Sequence, residues 1–519
     1  MGKSRRVTAT IAAGAAIALA LTACSSSSGG GSSSGTSPAG SSQAPAASQS
    51  STAVASGSSA AGSSAAASGS ASASAGGSGS ASAPAPGGAP VDLTIATNGI
   101  VGGKNDQEAS WITNWVIPNF TKAEADKGVT VKVTYQASGV DDEKYKAKLA
   151  LDLKAGHGPD VFAIDGIWVG EFAQAGYIKP LADVVGDSYQ DWDGWSQIND
   201  AVKGNASFDG KLYGIPVGTD GRVLFYNKKL FQQAGISEPW QPKSWQDIIS
   251  TAQTLKQKLP DVTPLQINAG TAMGEATTAQ GILPLLAGTG VSLYDNGKWQ
   301  GNTQQIRDVL NFYNTIYNTD QLGDVNYQLD AKGRDESFAD FSKGKIAILA
   351  ESDYLWRSVI DPKVGIDPIQ DKVGTVGYAL IPAEKAGSGV RGQDFVSVSG
   401  GSIYTLNPNS PNAKLAFDLM TFAQSPDAIK ARLAGAAQIT ERNDVNAEVL
   451  ANDPMLTFVA EKVLPLTTYR PSLSEYPQVS LALQQATADV VSGTSVDDAA
   501  ADYQSALEGI VGKDNVVSN

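Results

Sequence analysis

The chain has 519 residues, with 52 acidic against 38 basic side chains and a formal charge of -14. An acidic body with no basic cluster suits neither DNA nor RNA backbones, so nucleic acid is not expected as a partner. A single cysteine and a single histidine rule out a disulfide framework, a Cys/His zinc site and any histidine-based triad, and no metal or cofactor is expected.

Residues 1–23 place Lys3, Arg5 and Arg6 ahead of an apolar run, "VTATIAAGAAIALALTA", that is too short to span a bilayer. This is the pattern of an export signal, and "SRR" at Ser4–Arg6 is compatible with a twin-arginine route. The run closes on "LTAC", whose Cys24 is the only cysteine of the chain. Those four residues resemble the lipobox of bacterial lipoproteins, which implies that Cys24 carries lipid and anchors the chain to the extracellular face of the cell membrane. Residues 24–90 are dominated by Ser, Ala, Gly and Pro and hold no charged or aromatic residue, so they cannot bury enough apolar surface to order themselves. A flexible tether of that length reaches roughly 45 Å.

The body opens at "VDLTIAT", a strand by its alternation, followed by a helix in "EASWITNWVIPNFTKAEAD" and a strand in "VTVKVTYQA". A helix, "DEKYKAKLALDLKA", and a short strand, "DVFAID", come next. Strands separated by helices of this length pair in parallel through right-handed crossovers, which predicts an α/β sheet covered on both faces. Ser244 is placed to cap "SWQDIISTAQTLKQKL", with Ile248, Ala252, Leu255 and Leu259 on one helical face. Later, "GKIAILA" and "GSIYTL" read as strands, and Ser410 and Pro411 are expected at the N-cap and first helical position of "NSPNAKLAFDLMTFAQ". With no internal repeat and no second Ser/Gly-rich linker, any second domain must be joined through short ordered crossings.

The stretches "GPDVFAID" with "FAQAGYIKPL", "YGIPVGTDGRVLFYNKKLFQQAGI" with "SWQDI", "FSKGKIAILAESDYLW", "VGYALIP", "GGSIYTLNPNSPNAKLAFDLMTF" and "SGTSVDDAAADYQSAL" follow one another across Val91–Gly512. In that order they resemble the extracellular solute-binding proteins of carbohydrate ABC importers, the family that includes maltose-binding protein. The resemblance implies an α/β, periplasmic-binding-protein-like (type II) fold: two doubly wound lobes joined by a multi-crossing hinge, with the ligand in the cleft between them. It places the crossings near Pro216–Asp220, Ala379–Glu384 and Ile439–Asn443. Lobe one is then expected over 91–217 and 385–438, and lobe two over 218–384 and 439–515. The function it implies is capture of a sugar, a di- or oligosaccharide, by cleft closure and delivery to ABC permease subunits served by a cytoplasmic ATPase. The chain is expected to act as a monomer and not as an enzyme.

A sugar offers a flat C–H face and a rim of hydroxyls, so its site needs aromatic plates, carboxylate acceptors and guanidinium or amide donors. Asp165 ends "DVFAID", where ligands of open α/β sheets bind, though a helix N-cap explains it equally well. Asp160, just after Pro159, reads as a residue that orders its turn. Trp168 suits a stacking platform or the core. By its match to the family's hinge acid, Asp220 is expected to accept from ligand hydroxyls; Arg222, two residues on in an extended segment, either donates to the ligand or neutralises Asp220. The resemblance also puts an aromatic plate at Tyr354 or Trp356, with Glu351 and Asp353 as lower-ranking acceptors, and a late aromatic residue at Tyr476. Gly400 and Gly401, ahead of "SIYTL", suit either a close ligand approach or a tight turn. Asn98, in the loop Asn98–Asp106, and Glu275 complete the candidates as rim contributors, and His157 is expected in a surface turn. The alternatives are a glycoside hydrolase or lyase using Asp165 and Asp220, or the same fold holding a peptide or polyamine.

Overall fold

The computed structural model describes residues 90–518; the export signal, Cys24 and the tether up to residue 89 lie outside the described residues. The first sheet is built from β1 (Val91–Thr97), β2 (Val131–Ala137), β3 (Val161–Asp165) and β4 (Gly214–Val217), with a later strand described below. β1 pairs in parallel with both β2 and β3. Parallel neighbours require crossovers, supplied by the helix Asp106–Trp111 that continues through a π turn to Asp126, and by the helix Asp142–Lys154. Leu93, Ile95, Val161 and Phe162 are fully buried between the helical layers, and Asp165 emerges at the strand's carboxyl end.

The second sheet consists of β5 (Arg222–Asn227), β6 (Thr263–Gln266), β7 (Ile346–Ser352) and β8 (Val376–Ala379), in the order β8-β5-β7-β6. β5 runs antiparallel to both neighbours and every one of its residues is buried. Around this sheet pack the helices Trp245–Lys258, Leu283–Gly288, Gln304–Asn314, Tyr476–Val491 and Val496–Val511. Ser244 caps the first of them, its hydroxyl accepting from the Asp247 amide at 3.2 Å.

A small third sheet sits at the junction: β9 (Ile381–Pro382), β10 (Phe395–Ser399) and, far along the chain, β12 (Thr467–Tyr469). Between β10 and β12 the chain enters the first sheet as β11 (Ser402–Leu406), antiparallel to β3 and β4. The return to the first sheet was expected at Ala379–Glu384, with residues from 385 on in lobe one; it falls instead at Gly400–Gly401. The reason is local pairing: β9 and β10 form a hairpin, and the Glu384 and Val390 amides donate to the carbonyls of Gly288 and Ala287 at 3.1 and 2.8 Å, holding this stretch on a helix of the second lobe.

The helix in "NSPNAKLAFDLMTFAQ" also starts later than expected, at Ala413 with Asn412 before it. The Ser410 hydroxyl donates to Asp160 at 2.5 Å and accepts from the Asn412 amide at 3.2 Å, closing a turn ahead of the helix instead of its first turn. Asp160 in turn accepts from the amide and hydroxyl of Thr94, so it ties β1, the turn before β3 and the turn after β11 together. After Arg442 the chain crosses once more. The helix Pro454–Phe458 and its continuation Val459–Val463 pack on the second sheet, with the Phe458 ring 5.0 Å from that of Tyr378.

Candidate functional site

The carboxyl ends of β3, β4 and β7 and the starts of β5 and β11 meet at one place: Ser402 pairs with both Asp165 and Val217, and Ser352 pairs with Arg222. The two connections there lie so close that glycine is required. A side chain at Gly401, whose φ is +144°, would place its Cβ 2.7 Å from the Gly218 carbonyl oxygen.

Asp220 sits between the two connections. Its Oδ1 accepts from the Gly400 amide at 2.7 Å and from Arg222 Nη1 at 2.5 Å, and its carbonyl accepts from the Ser399 hydroxyl. Its Oδ2 has no protein partner among the described residues, and the side chain keeps 27% of its surface exposed. Arg222 is buried and its Nε and Nη1 are engaged: Nε donates to Gln280 Oε1 and Nη1 also to the Val398 carbonyl, each at 2.9 Å. Arg222 therefore braces the crossing, while Asp220 keeps an acceptor free. On the other side of the same turn, buried Asp353 accepts from the Gly221 amide at 3.0 Å and from Arg357 Nε at 2.9 Å. Burial, followed by the Asp220 charge, pushes the Asp353 carboxyl up to about 6 despite Arg357.

Next to Asp220 lies a residue the sequence reading did not single out. Arg470 follows β12 and has only 18% of its side chain exposed. Its Nη2 is 3.7 Å from Asp165 Oδ1 and its Nη1 is 3.6 Å from Glu275 Oε1. A Cβ at Gly400 would lie 3.4 Å from its Nη2. Burial works against its charge, but Asp165, Tyr476, Glu275 and Asp220 together hold its pKa above the usual value. Those separations exceed direct hydrogen-bond length, so the guanidinium is electrostatically held yet keeps its donors unspent. The only signal in the sequence is a lone cation within "LPLTTYRPSL".

The other expected residues fall into three groups. Asp165, Asp220, Gly400, Glu275 and Tyr476 are gathered around Arg470. Glu275 accepts from the Tyr476 hydroxyl and, at 2.7 Å, from Ser480; burial, and then Glu275, raise the Tyr476 pKa well above its usual value. Asp165 also caps the turn that follows it, accepting from the Ile167 amide at 3.1 Å, so both readings of it hold geometrically. A second group lies in a chamber beside Asp165: Asn98, buried, and Trp168, buried and stacked on Phe172.

The third group stands apart. Trp356 is in the core, its Nε1 donating to Asp453 and its ring 4.6 Å from Lys372 Nζ. Tyr354 is the exposed aromatic of the two, held between the guanidiniums of Arg334 and Arg357 at 5.9 and 5.6 Å. Glu351 is buried in a two-pronged pair with Arg334, at 2.7 and 2.9 Å, so both of its oxygens are engaged. His157 is exposed.

Two α/β lobes joined by several crossings, with polar groups from both sheets converging where they cross, define a type II periplasmic binding-protein fold. The sugar-binding protein MalE of Xanthomonas citri superposes with a TM-score of 0.64 at 19% identity, covering 82% of this chain and 98% of that one. The cyclic alpha-maltosyl-1,6-maltose binding protein of Arthrobacter globiformis gives 0.61 at 20% identity, covering 82% and 100%. Residues 103–430 match the model of the bacterial extracellular solute-binding protein family, and the chain belongs to that family. In sequence it is 28% identical over 160 residues to the diacetylchitobiose binding protein of Streptomyces coelicolor, 30% of this chain and 35% of that one. The chain spans a quarter to about a third of the length of the first curated relatives it matches. Among the described residues no helix is long and apolar enough to cross a membrane, and no group of three His, Cys, Asp or Glu could hold a metal ion.

Proposed function

We propose that the protein captures a carbohydrate, a di- or oligosaccharide, outside the cell and passes it to the permease of an ABC importer without altering it chemically. The observation that carries this reading is Arg470, an enclosed guanidinium with unspent donors, surrounded by carboxylates from both lobes. Vicinal hydroxyls donate to one carboxylate and accept from a guanidinium at once, and such charge-assisted bonds contribute about 1.5–3 kcal/mol each. Contacts from both lobes to one ligand favour closure by their differential affinity for the closed state. The sugar-binding descriptions of the relatives support the same ligand class.

The test is a melting-temperature screen of the protein against sugars, peptides and polyamines, because a ligand that binds only the folded form raises Tm by mass action. A shift with a carbohydrate and none with the others is expected; a shift with a peptide or polyamine alone refutes the reading. The proposed anchor on Cys24 rests on "LTAC" and the Ser/Ala/Gly-rich stretch behind it. Cys24→Ser should release the protein from the membrane fraction into the medium.

A further inference from the structure

The helix Tyr476–Val491 carries polar side chains on its buried face: Ser480 and Gln484 follow Tyr476 one turn apart, and both are buried. A buried polar group has a desolvation cost that only hydrogen bonds offset, so apolar residues would fill this face at lower cost unless the bonds serve a purpose. Those bonds lead to Glu275. Its side chain is 40% exposed in the cleft, with Oε1 at 3.6 Å from Arg470 Nη1. The Tyr476 hydroxyl donates to Oε1, and the Ser480 hydroxyl donates to Oε2 at 2.7 Å. Behind Ser480 lies Thr278, fully buried, its Oγ1 at 2.7 Å from Ser480 Oγ. Gln484 Nε2 is 3.0 Å from both of these oxygens.

The direction of these bonds follows from proton counting. A carboxylate only accepts, so the single Ser480 hydroxyl proton goes to Glu275. Ser480 Oγ is then an acceptor towards Thr278, whose own proton points at it. The two hydroxyl oxygens are so close together that they share one N–H of Gln484. A flipped Gln484 amide would set its oxygen against both hydroxyls, with one remaining proton for three contacts, so its orientation is fixed as well. Donation therefore runs one way, from Gln484 through Thr278 and Ser480 to Glu275, and each bond polarises the next. Each Glu275 oxygen accepts one buried hydroxyl and keeps lone-pair capacity on the side of Arg470. Thr278 also opens the turn Thr278–Ile282, whose Gln280 accepts from Arg222 Nε at 2.9 Å, so the relay is braced against the crossing.

We propose that Thr278, Ser480 and Gln484 are positioning residues for sugar binding: their relay holds the Glu275 carboxylate in one orientation beside Arg470, where it accepts from a ligand hydroxyl. This rests on the carbohydrate reading above and deepens it. Maltose, maltotriose, cellobiose and diacetylchitobiose are titrated calorimetrically into the protein, and the tightest binder of the four is then titrated into its variants. Thr278→Val keeps the shape and removes the hydroxyl, and it should weaken binding about fivefold or more. Thr278→Ser keeps the hydroxyl and should stay within about twofold of the wild type. In a Glu275→Ala background, Thr278→Val should change affinity by less than about twofold, because the relay then has nothing to hold. Ser480→Ala cuts the relay one bond later and should repeat this pattern, so the test stands if one of the two variants fails to fold. Equal losses in both backgrounds, or an affinity that Thr278→Val leaves unchanged, overturn the relay and leave the carbohydrate reading standing. A loss in Thr278→Ser as large as in Thr278→Val assigns the effect to packing and overturns the relay too. Binding of none of the four sugars overturns both readings.

Discussion

Arg222, buried, and Arg470, half-buried, both lie near Asp220, and they are built for opposite ends. At the crossing, Arg222 donates to a side chain, a carbonyl and a carboxylate at 2.5–2.9 Å, so its charge is consumed in holding two connections together. In the cleft, Arg470 has carboxylates at 3.6 and 3.7 Å, close enough to stabilise its charge and too far to occupy its donors. Asp220 shows the same division within one side chain, with one oxygen tied to Gly400 and Arg222 and the other free. A neighbouring carboxylate therefore does not separate support from function; the count of spent donors and acceptors does.

The largest effect should come from Arg222→Ala, which strands Asp220 beside buried Asp353. A loss of roughly 3 kcal/mol is expected, the low end for breaking a buried ion pair because Asp220 keeps some water. Denaturant unfolding reads it directly, and a loss under 1 kcal/mol would mean that Arg222 is not the brace. Arg470→Gln should leave folding nearly intact and lower affinity for the sugar found by the screen about a hundredfold, roughly 2.7 kcal/mol, by removing a charge-assisted bond. Unchanged calorimetric affinity there would erase the distinction between the two arginines.

Asp220→Asn keeps the shape and loses the charge. About a tenfold drop in affinity, roughly 1.4 kcal/mol, is expected together with a measurable fall in apo Tm, since the free oxygen serves the ligand and the tied one serves the crossing. A change in only one of the two would assign Asp220 wholly to that role.

A further effect concerns pH. With its carboxyl raised from about 3.8 to about 6, folded Asp353 still holds a proton that the unfolded chain has released, so its contribution to stability falls as pH rises between those values. Asp353→Asn lacks this slope, and its Tm should gain on the wild type from pH 4 to pH 6. Parallel Tm profiles would show that Arg357 cancels the shift.

Much of the layering was legible along the chain. Alternation in "VDLTIAT" and "VTVKVTYQA" and the run "DVFAID" mark β1, β2 and β3 closely, because a strand's inward face is written at every second residue. Asp165 could be picked out because strand ends face the cleft in such sheets. The start of the helix at Ala413 was misplaced, since Ser410 does accept a backbone amide as a cap would, but that of Asn412, in a turn that precedes the helix. The late return to the first sheet was missed for a similar reason: the β9–β10 hairpin is anchored by backbone bonds to Leu283–Gly288, which leave no mark in side-chain pattern.

Between Tyr354 and Trp356 the sequence offered no choice, as both follow β7 and both are large and aromatic. The Asp453 carboxylate on a distant helix decides it by capturing the Trp356 indole. What the sequence by itself determined is what depends on local periodicity and composition: two α/β lobes, the short apolar strands, and an acidic body with a single histidine and a single cysteine. What only the tertiary structure decided is which charged groups are spent. Arg470, Asp165 and Glu275 come from distant parts of the chain, and their partnership exists only once both sheets have brought their ends to the same crossing.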